Sequence, residues 1–380
     1  MLKKSLFYRF VLIALAAVIL FTGCTKKASS PSKAEPVESS AAGTRTIVDQ
    51  VGNTVVLPEK INRVVIASVW PLCSAYCLMY GTDKLVGLDP AIISAAENSM
   101  LIKIAPELSN LPSSFSKNGT LNAEELLKLK PDVVLYASGV MEDYDIATQA
   151  GIPAVGFSLS AKNFNAVETI NSWMELLAEV MNESYDTSKF VEYGNKIQKL
   201  VADRLADVKE EDKPTAMIIH KYSATTLAIP GTSTWGDYWI TASGARNVAN
   251  ENKGTPQVTV EQIYKWNPDR IYITNFSDAV PDDLYNNTLE GYDWSNVGAV
   301  KSRNVYKMPL GIYRWYVTNT DSPLTLLWLA KQHHPSLFAD IDMDAEIKSY
   351  YKEFYHIELS DDDIREIYTP KRDAARGIKK

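Results

Sequence analysis

The chain has 380 residues, of which 46% are apolar and 22% are charged. This length exceeds that of one small domain, and the composition excludes an intrinsically disordered protein. With 39 basic and 46 acidic residues the net charge is −7, which argues against a basic surface for nucleic acid. Only three cysteines are present, too few for a disulfide framework. We therefore expect a globular protein that does not bind nucleic acid.

The first 23 residues are typical of a secretory signal peptide. A short basic start precedes an apolar run that is too short to span a membrane comfortably. The stretch LFTGC, which ends at Cys24, resembles a bacterial lipobox and implies acylation of that cysteine. Ordinary cleavage nearby, with release of the protein, is the alternative. Residues 24–44 are rich in Ser, Ala, Pro, Lys and Glu, which predicts a flexible tether.

The rest of the chain contains a weak internal repeat. LNAEELLKLKPDVVLYASG begins at Leu121, and VTVEQIYKWNPDRIYITNF begins at Val258, with the Pro-Asp pair at the same place in both. Each copy predicts a short helix, a Pro-Asp turn that ends it, and a buried parallel strand. Further apolar segments separated by helical patterns predict additional strands. Two copies of this unit indicate two α/β lobes.

The longest helical patterns lie between the two copies, from 163 to 180 and from 187 to 208. A helix of about 22 residues is roughly 33 Å long and can act as a rigid strut. We predict an α/β protein with two Rossmann-like lobes joined by a single long rigid helix, and with a ligand cleft between the lobes. The predicted boundaries are 45–162 for the first lobe, 163–213 for the connecting helices and 214–370 for the second lobe with a helical tail.

An ordered series of segments resembles one family. TIVDQVGNTVVLPEKINRVVIAS, the first repeat copy, and ASGARNVANE followed by the second copy are similar to the solute-binding lipoproteins of ABC importers for iron chelates, haem and cobalamin. The resemblance runs from about residue 46 to about residue 338. It implies two lobes joined by a long helix, a ligand in the cleft and modest closure. The tail from 340 to 367 resembles a subgroup linked to iron transport.

The loops after the predicted strands carry aromatic and polar side chains. In open α/β sheets, ligands bind beyond the carboxyl ends of the strands. Any one aromatic residue more often belongs to the core than to a site, but the joint placement of these residues after strands favours a ligand site. The candidate ligand-binding residues are Trp70, Tyr136, Ser138, Phe157, Lys221, Tyr222, Trp235, Asn275, Phe276, Tyr313, Arg314, Trp315 and Tyr316.

Arg314 is the most specific single candidate, because it lies between aromatic residues in GIYRWYV. A guanidinium in that setting suits an anionic ligand through bidentate and stacking contacts. A structural salt bridge is the alternative role.

The resemblance also implies that one acidic residue on each lobe docks on a basic patch of the permease. In the first lobe the matching residue is Glu97, with Glu107 as second choice. In the second lobe no acid stands where one is expected, and Asp237 and Glu251 flank that position.

Other functional classes fit less well. The sequence lacks HExxH, GxSxG, GxxxxGKS and a strand-linked GxGxxG, so we do not expect an enzyme. A structural or adhesive surface lipoprotein would explain the anchor but not the repeat. A receptor for a bare metal ion is disfavoured, because the first histidine is His220 and the first lobe has no imidazole to contribute.

The expected function is therefore capture of a chelated metal, with a ferric siderophore or related iron complex first. A receptor for molybdate or tungstate, or for haem or cobalamin, is the alternative. The expected partners are a small-molecule metal complex, an ABC permease with its ATPase, and the membrane through the lipid on Cys24. We expect a monomer outside the cytoplasm, with no cofactor and no metal site of its own.

Overall fold

The computed structural model describes residues 43–289 and 291–375. The predicted signal peptide, Cys24 and nearly all of the predicted tether lie outside the described residues. No helix in the described part of the chain is long and apolar enough to cross a membrane.

The first lobe surrounds a four-stranded parallel sheet. Its strands are β1 (Thr44–Val48), β2 (Thr54–Pro58), β3 (Val64–Ile66), β4 (Leu85–Leu88), β5 (Ser116–Lys117), β6 (Thr120–Leu121), β7 (Val133–Ala137) and β8 (Ala154–Phe157). Its helices are α1 (Leu72–Tyr80), α2 (Pro90–Glu97), α3 (Leu101–Ile104), α4 (Ala123–Lys128) and α5 (Met141–Gln149). The parallel sheet has the order β4-β3-β7-β8, while β1 with β2 and β5 with β6 form antiparallel pairs. The strands of the parallel sheet are largely apolar and buried on both faces, as its helical cover requires.

Two helices connect the lobes, α6 (Ala166–Met181) and α7 (Ser188–Leu205). The first begins three residues later than the sequence pattern indicates, because residues 162–164 have positive φ and Asn165 caps the helix. The C-cap of helix α6 is Asn182, whose backbone adopts the left-handed conformation. With 18 residues, α7 is shorter than the predicted strut.

The second lobe repeats the architecture of the first. Its strands are β9 (Thr215–Ile219), β10 (Lys221–Ser223), β11 (Thr226–Ala228), β12 (Arg246–Asn247), β13 (Arg270–Ile273) and β14 (Val305–Lys307). Its helices are α8 (Trp235–Ala242), α9 (Val260–Trp266), α10 (Pro281–Tyr285), α11 (Gly298–Lys301) and α12 (Ser322–His333). The parallel sheet has the order β12-β9-β13-β14, and β10 pairs with β11 antiparallel.

The two parallel sheets have the same topology. In each, the first strand in chain order lies between the second and the third, and the fourth pairs with the third. The two repeat copies are α4 with β7 and α9 with β13, so both strands occupy the same place in their sheets. The prediction of an α/β protein with two related lobes is confirmed.

The tail that follows the second lobe forms α13 (Met343–Phe354) and α14 (Asp361–Tyr368). One continuous apolar cluster includes Leu72 and Trp173 from the first half of the chain, Leu327 of α12 and Tyr350 of the tail. Because buried side chains pack at crystal-like density, a core shared in this way resists large relative motion of the lobes.

Candidate functional site

A cavity of about 940 Å³ lies between the lobes, at the carboxyl ends of the parallel strands of both sheets. Its volume is at the upper end of the range usual for small-molecule sites. From the first lobe it is lined by Ser68, Trp70, Asp89, Ser116, Val140 and Asp143, among others. From the second lobe it is lined by His220, Lys221, Thr234, Trp235, Phe276, Tyr313 and Tyr316, among others. The cavity therefore lies at the strand ends, where the sequence predicts a ligand site.

The wall contributed by the first lobe contains two buried carboxylates. Asp89 directly follows β4 and caps α2, accepting hydrogen bonds from the Ala91 amide at 2.8 Å and the Ser116 hydroxyl at 2.6 Å. Asp143 lies in the first turn of α5 with 2% of its surface exposed. Burial raises the pKa of Asp143 to about 6, against hydrogen bonds from Ser68 that lower it. Neither carboxylate forms an ion pair with any residue that the structure describes.

The wall contributed by the second lobe is aromatic. The His220 ring packs against Phe276 and Tyr316, with ring centroids 5.0 and 5.1 Å away, and those two rings also contact each other edge-on. Burial lowers the pKa of His220 to about 4, so its imidazole is neutral at pH 7. Its Nδ1 has no hydrogen-bond partner among the described residues. Trp235 begins α8, where the Thr234 hydroxyl accepts from the Asp237 amide at 3.2 Å.

One edge of the cavity is closed by a ring from the connecting segment. Phe164 lies edge-on to Trp235, with ring centroids 6.5 Å apart. Lys162, Asn163 and Phe164 all have positive φ, between 52° and 65°. Such conformations are unfavourable for side chains such as those of Lys162 and Phe164, and they concentrate at functional sites.

Arg314 lies directly behind the aromatic wall and is fully buried. Its guanidinium donates to the Tyr313 hydroxyl at 2.9 Å and to the Ala374 carbonyl at 2.8 Å. It lies 4.9 Å from the Phe276 ring centroid and 5.3 Å from that of Tyr313. No carboxylate pairs with it in residues 43–289 and 291–375, and its Nε has no partner there. The salt-bridge alternative is therefore wrong within this range, and a positive charge without a counterion stands behind the cavity wall.

Six of the predicted ligand-binding residues line the cavity: Trp70, Lys221, Trp235, Phe276, Tyr313 and Tyr316. Arg314 is adjacent to the lining, and six others are not on it, contrary to the prediction.

Those six side chains have other partners. Tyr136 lies on the far face of the first sheet, because successive strand residues point to opposite faces, and its hydroxyl accepts from Asn53 at 3.0 Å. Phe157 packs edge-on against Trp173 in the core. The Tyr222 hydroxyl accepts from the Trp294 indole at 2.7 Å within the second lobe.

The remaining three tie loops together. The Ser138 hydroxyl accepts from the Leu159 amide at 3.1 Å. The Asn275 amide group donates to the Met308 carbonyl at 2.8 Å. The Trp315 indole donates to Asp321 at 3.0 Å.

Four further residues line the cavity that are not among the candidates from the sequence: Asp89, Asp143, Phe164 and His220. Asp89 and His220 directly follow strands and could have been found by the same strand-end rule. Asp143 lies in the first turn of α5, and Phe164 lies seven residues after β8, so only the fold brings them to the cavity.

The candidate docking acids differ in exposure. Glu97 ends α2 and is exposed, as are Glu107 and Glu251. The Asp237 carboxylate is half-buried and accepts from Asn247 at 2.9 Å. No group of three or more His, Cys, Asp or Glu residues in the described ranges is arranged to hold a metal ion.

Comparisons with known proteins agree with this architecture. A family model described as periplasmic binding protein matches residues 80–310. The molybdate-binding protein MolA of Haemophilus influenzae is 30% identical over 85% of this chain and 94% of MolA. An uncharacterised ABC transporter substrate-binding lipoprotein of Bacillus subtilis, YvrC, is 24% identical over 77% of this chain and 86% of YvrC.

Solved structures are similar over nearly their whole length. A periplasmic solute-binding protein from Veillonella parvula has a TM-score of 0.75 and 31% identity, covering 86% of this chain and 97% of that one. MolA bound to molybdate has a TM-score of 0.69 and 27% identity, covering 83% of this chain and 99% of that one.

Proposed function

The chain belongs to the periplasmic binding protein family of ABC importers, with a two-lobed α/β fold, and from this premise we propose that it captures an anionic metal chelate. The chelate, with a ferric siderophore as the leading example, binds in the cavity between the lobes. It is then delivered to a permease driven by an ATPase. The protein acts outside the cytoplasm, as a binding protein of its family does.

The size and lining of the cavity carry this proposal. A volume of about 940 Å³ is far more than a bare metal ion or a four-oxygen anion fills. Trp70, Trp235, Phe276 and the tyrosines offer flat apolar surfaces for stacking. A ligand that uses this space needs an extended organic part, which an iron chelate has and a bare ion lacks.

The arrangement of charge supports an anionic group at one end of that ligand. Lys221 lines the wall of the second lobe, and the Arg314 guanidinium stands behind it without a counterion among the described residues. On the opposite wall, Asp89 and Asp143 repel anions and favour hydrogen-bond donors or positive groups. The ligand is thus expected to be oriented, with its negative charge toward the second lobe.

Molybdate is the second candidate, since MolA is 30% identical to this chain and is described as molybdate-binding. An oxyanion held at the second-lobe wall would use the same positive charges. It would leave most of the cavity filled with water, and the two carboxylates would oppose it.

Calorimetric titration of the purified protein with ferric siderophores, haem, cobalamin and sodium molybdate separates these candidates. We expect a ferric chelate to bind at least tenfold more tightly than molybdate, or about 1.4 kcal/mol. Tight binding of molybdate with no chelate bound would establish the second candidate instead.

We further propose that Cys24 carries a lipid that holds the protein at the membrane, and that Glu97 docks on the permease with Asp237 or Glu251 from the other lobe. A Cys24→Ala variant should lose the lipid mass and be shed or remain unprocessed, because the tether supplies no other membrane contact. Unchanged mass and membrane retention in that variant would refute the anchor.

A further inference from the structure

The loop of residues 308–321 forms part of the cavity wall and is completely buried. It joins β14 to α12 and carries Tyr313, Tyr316 and Val317 of the lining. A buried loop has polar backbone groups that must find partners inside the protein. The residues that supply these hydrogen-bond partners therefore determine how rigid this wall of the cavity is.

Asp321, at the end of the loop, is the centre of its hydrogen bonds. One oxygen of this fully buried carboxylate accepts from the Ile312 amide at 2.8 Å and the Trp315 indole at 3.0 Å. The same oxygen accepts from the Tyr351 hydroxyl at 2.7 Å, and the other accepts from the Tyr355 hydroxyl at 3.4 Å. Two bonds thus come from the loop itself and two from the tail.

The tail contacts the loop at further points. The Tyr350 hydroxyl donates to the Thr320 carbonyl, and the Tyr355 hydroxyl contacts the Thr320 hydroxyl. At the other end, the Leu310 amide donates to the Ile367 carbonyl at 2.9 Å. The Arg314 guanidinium donates to the Ala374 carbonyl at 2.8 Å. The tail therefore holds the loop at both ends and in the middle.

The contact between tail and loop is too close to admit another atom. A Cβ added to Gly311 would lie 2.0 Å from an Asp321 carboxylate oxygen and 2.7 Å from the Tyr351 hydroxyl. Small displacements of the tail must then move the loop, because no gap remains to absorb them.

The loop and the tail also contact the first lobe. The Gly311 carbonyl accepts from the Met100 amide at 2.8 Å, and Asp363 of α14 forms an ion pair with Lys103 of α3. The loop is consequently held between the tail and the opposite lobe.

We propose that the tail, residues 343–375, is a positioning element of the ligand site. Tyr351 and Tyr355 hold Asp321, and Asp321 fixes the loop that carries Tyr313 and Tyr316. These tyrosines of the tail do not line the cavity, so they act on ligand affinity through the loop. The inference rests on the proposed function insofar as it takes the cavity to be the ligand site.

The test compares a Tyr351→Phe, Tyr355→Phe double variant with a Tyr193→Phe control in the full chain. Tyr193 packs on Tyr350 of α13, and its hydroxyl donates to Glu346 at 2.7 Å, so the control disturbs the same helix without touching the loop. The probes are sodium molybdate and the ferric complex of 2,3-dihydroxybenzoate, and each variant is also examined by amide hydrogen exchange.

The double variant should lose about tenfold in affinity for whichever probe the wild type binds, as expected for the loss of two hydrogen bonds to Asp321. The Ile312 amide and the Trp315 indole should exchange faster in it, while the control matches the wild type in both respects. Faster exchange with neither probe bound would support the positioning role and count against the proposed ligand class. Unchanged exchange at Ile312 and Trp315, or an equal loss of affinity in the control, would overturn the inference.

Discussion

In both lobes, the third strand of the parallel sheet follows a short helix and a Pro-Asp pair, and the aspartate ties it to the neighbouring strand. A carboxylate oxygen of Asp132 accepts from the Asn62 and Arg63 amides at 2.7 and 2.9 Å. In the second lobe, a carboxylate oxygen of Asp269 accepts from the Thr215 amide at 2.8 Å and from the Thr215 hydroxyl at 2.7 Å. The sequence repeat thus corresponds to a repeated structural feature, in which the aspartate of the Pro-Asp pair links the third strand to the chain at the start of the first.

The walls that these similar lobes present to the cavity are different. The first lobe contributes carboxylates fixed close to helix starts, whereas the second contributes aromatic rings packed against one another with Arg314 behind them. In such a fold, the shared scaffold sets the location of a ligand site, and the loop residues set its ligand specificity.

The largest effect is expected at Arg314. Arg314→Met keeps apolar packing against Phe276 and removes the charge, so the protein should fold while affinity for an anionic chelate falls roughly 30- to 1000-fold, or about 2–4 kcal/mol. Arg314→Ala should lose affinity and also melt at a lower temperature, because it leaves a cavity where a large buried side chain was. Titration and thermal melting of both variants are the measurements. Wild-type affinity in the Met variant would show that the guanidinium does not act on the ligand.

An intermediate effect is expected on the opposite wall. Asp143→Asn removes a negative charge from the cavity, so affinity for molybdate should rise about fivefold, or on the order of 1 kcal/mol. A fall in that affinity would mean that Asp143 does not repel the anion.

The same variant should change the pH dependence of stability. Burial raises the pKa of Asp143 from 3.8 to about 6, so the folded protein holds this proton more tightly, and its contribution to stability falls as pH rises through that window. Asp143→Asn should therefore be more stable than the wild type at pH 7, by on the order of 1 kcal/mol, and show no such gain at pH 4. Denaturant unfolding at the two pH values measures this. His220, whose lowered pKa acts in the opposite direction, is present in both proteins and does not affect the comparison.

Some features of the fold and of the candidate site can be predicted from the sequence, and others cannot. The strands and the repeat follow from local apolar pattern and the Pro-Asp turn, and the topology places the cavity at the strand ends. The side of the sheet that Tyr136 faces, and the burial of Trp315 against Asp321, depend on strand phase and on contacts with the distant tail. Such contacts join residues far apart in the chain and leave no local pattern.

The smallest change is expected in overall shape. Because one apolar cluster includes α6, α7, α12 and both parallel sheets, ligand binding should alter the radius of gyration very little. Small-angle scattering with and without a bound chelate is the measurement. A marked decrease on binding would indicate a hinge between the lobes instead of a shared core.

The central claim is that the cavity holds an anionic organic metal complex. Native mass spectrometry of the protein purified from its own host tests this most directly, because it reports what the site retains. We expect an adduct whose mass corresponds to an organic ligand with a bound metal, and we expect the Arg314→Met variant to lose it. An adduct with the mass of a bare oxyanion, or one retained unchanged in that variant, would contradict it.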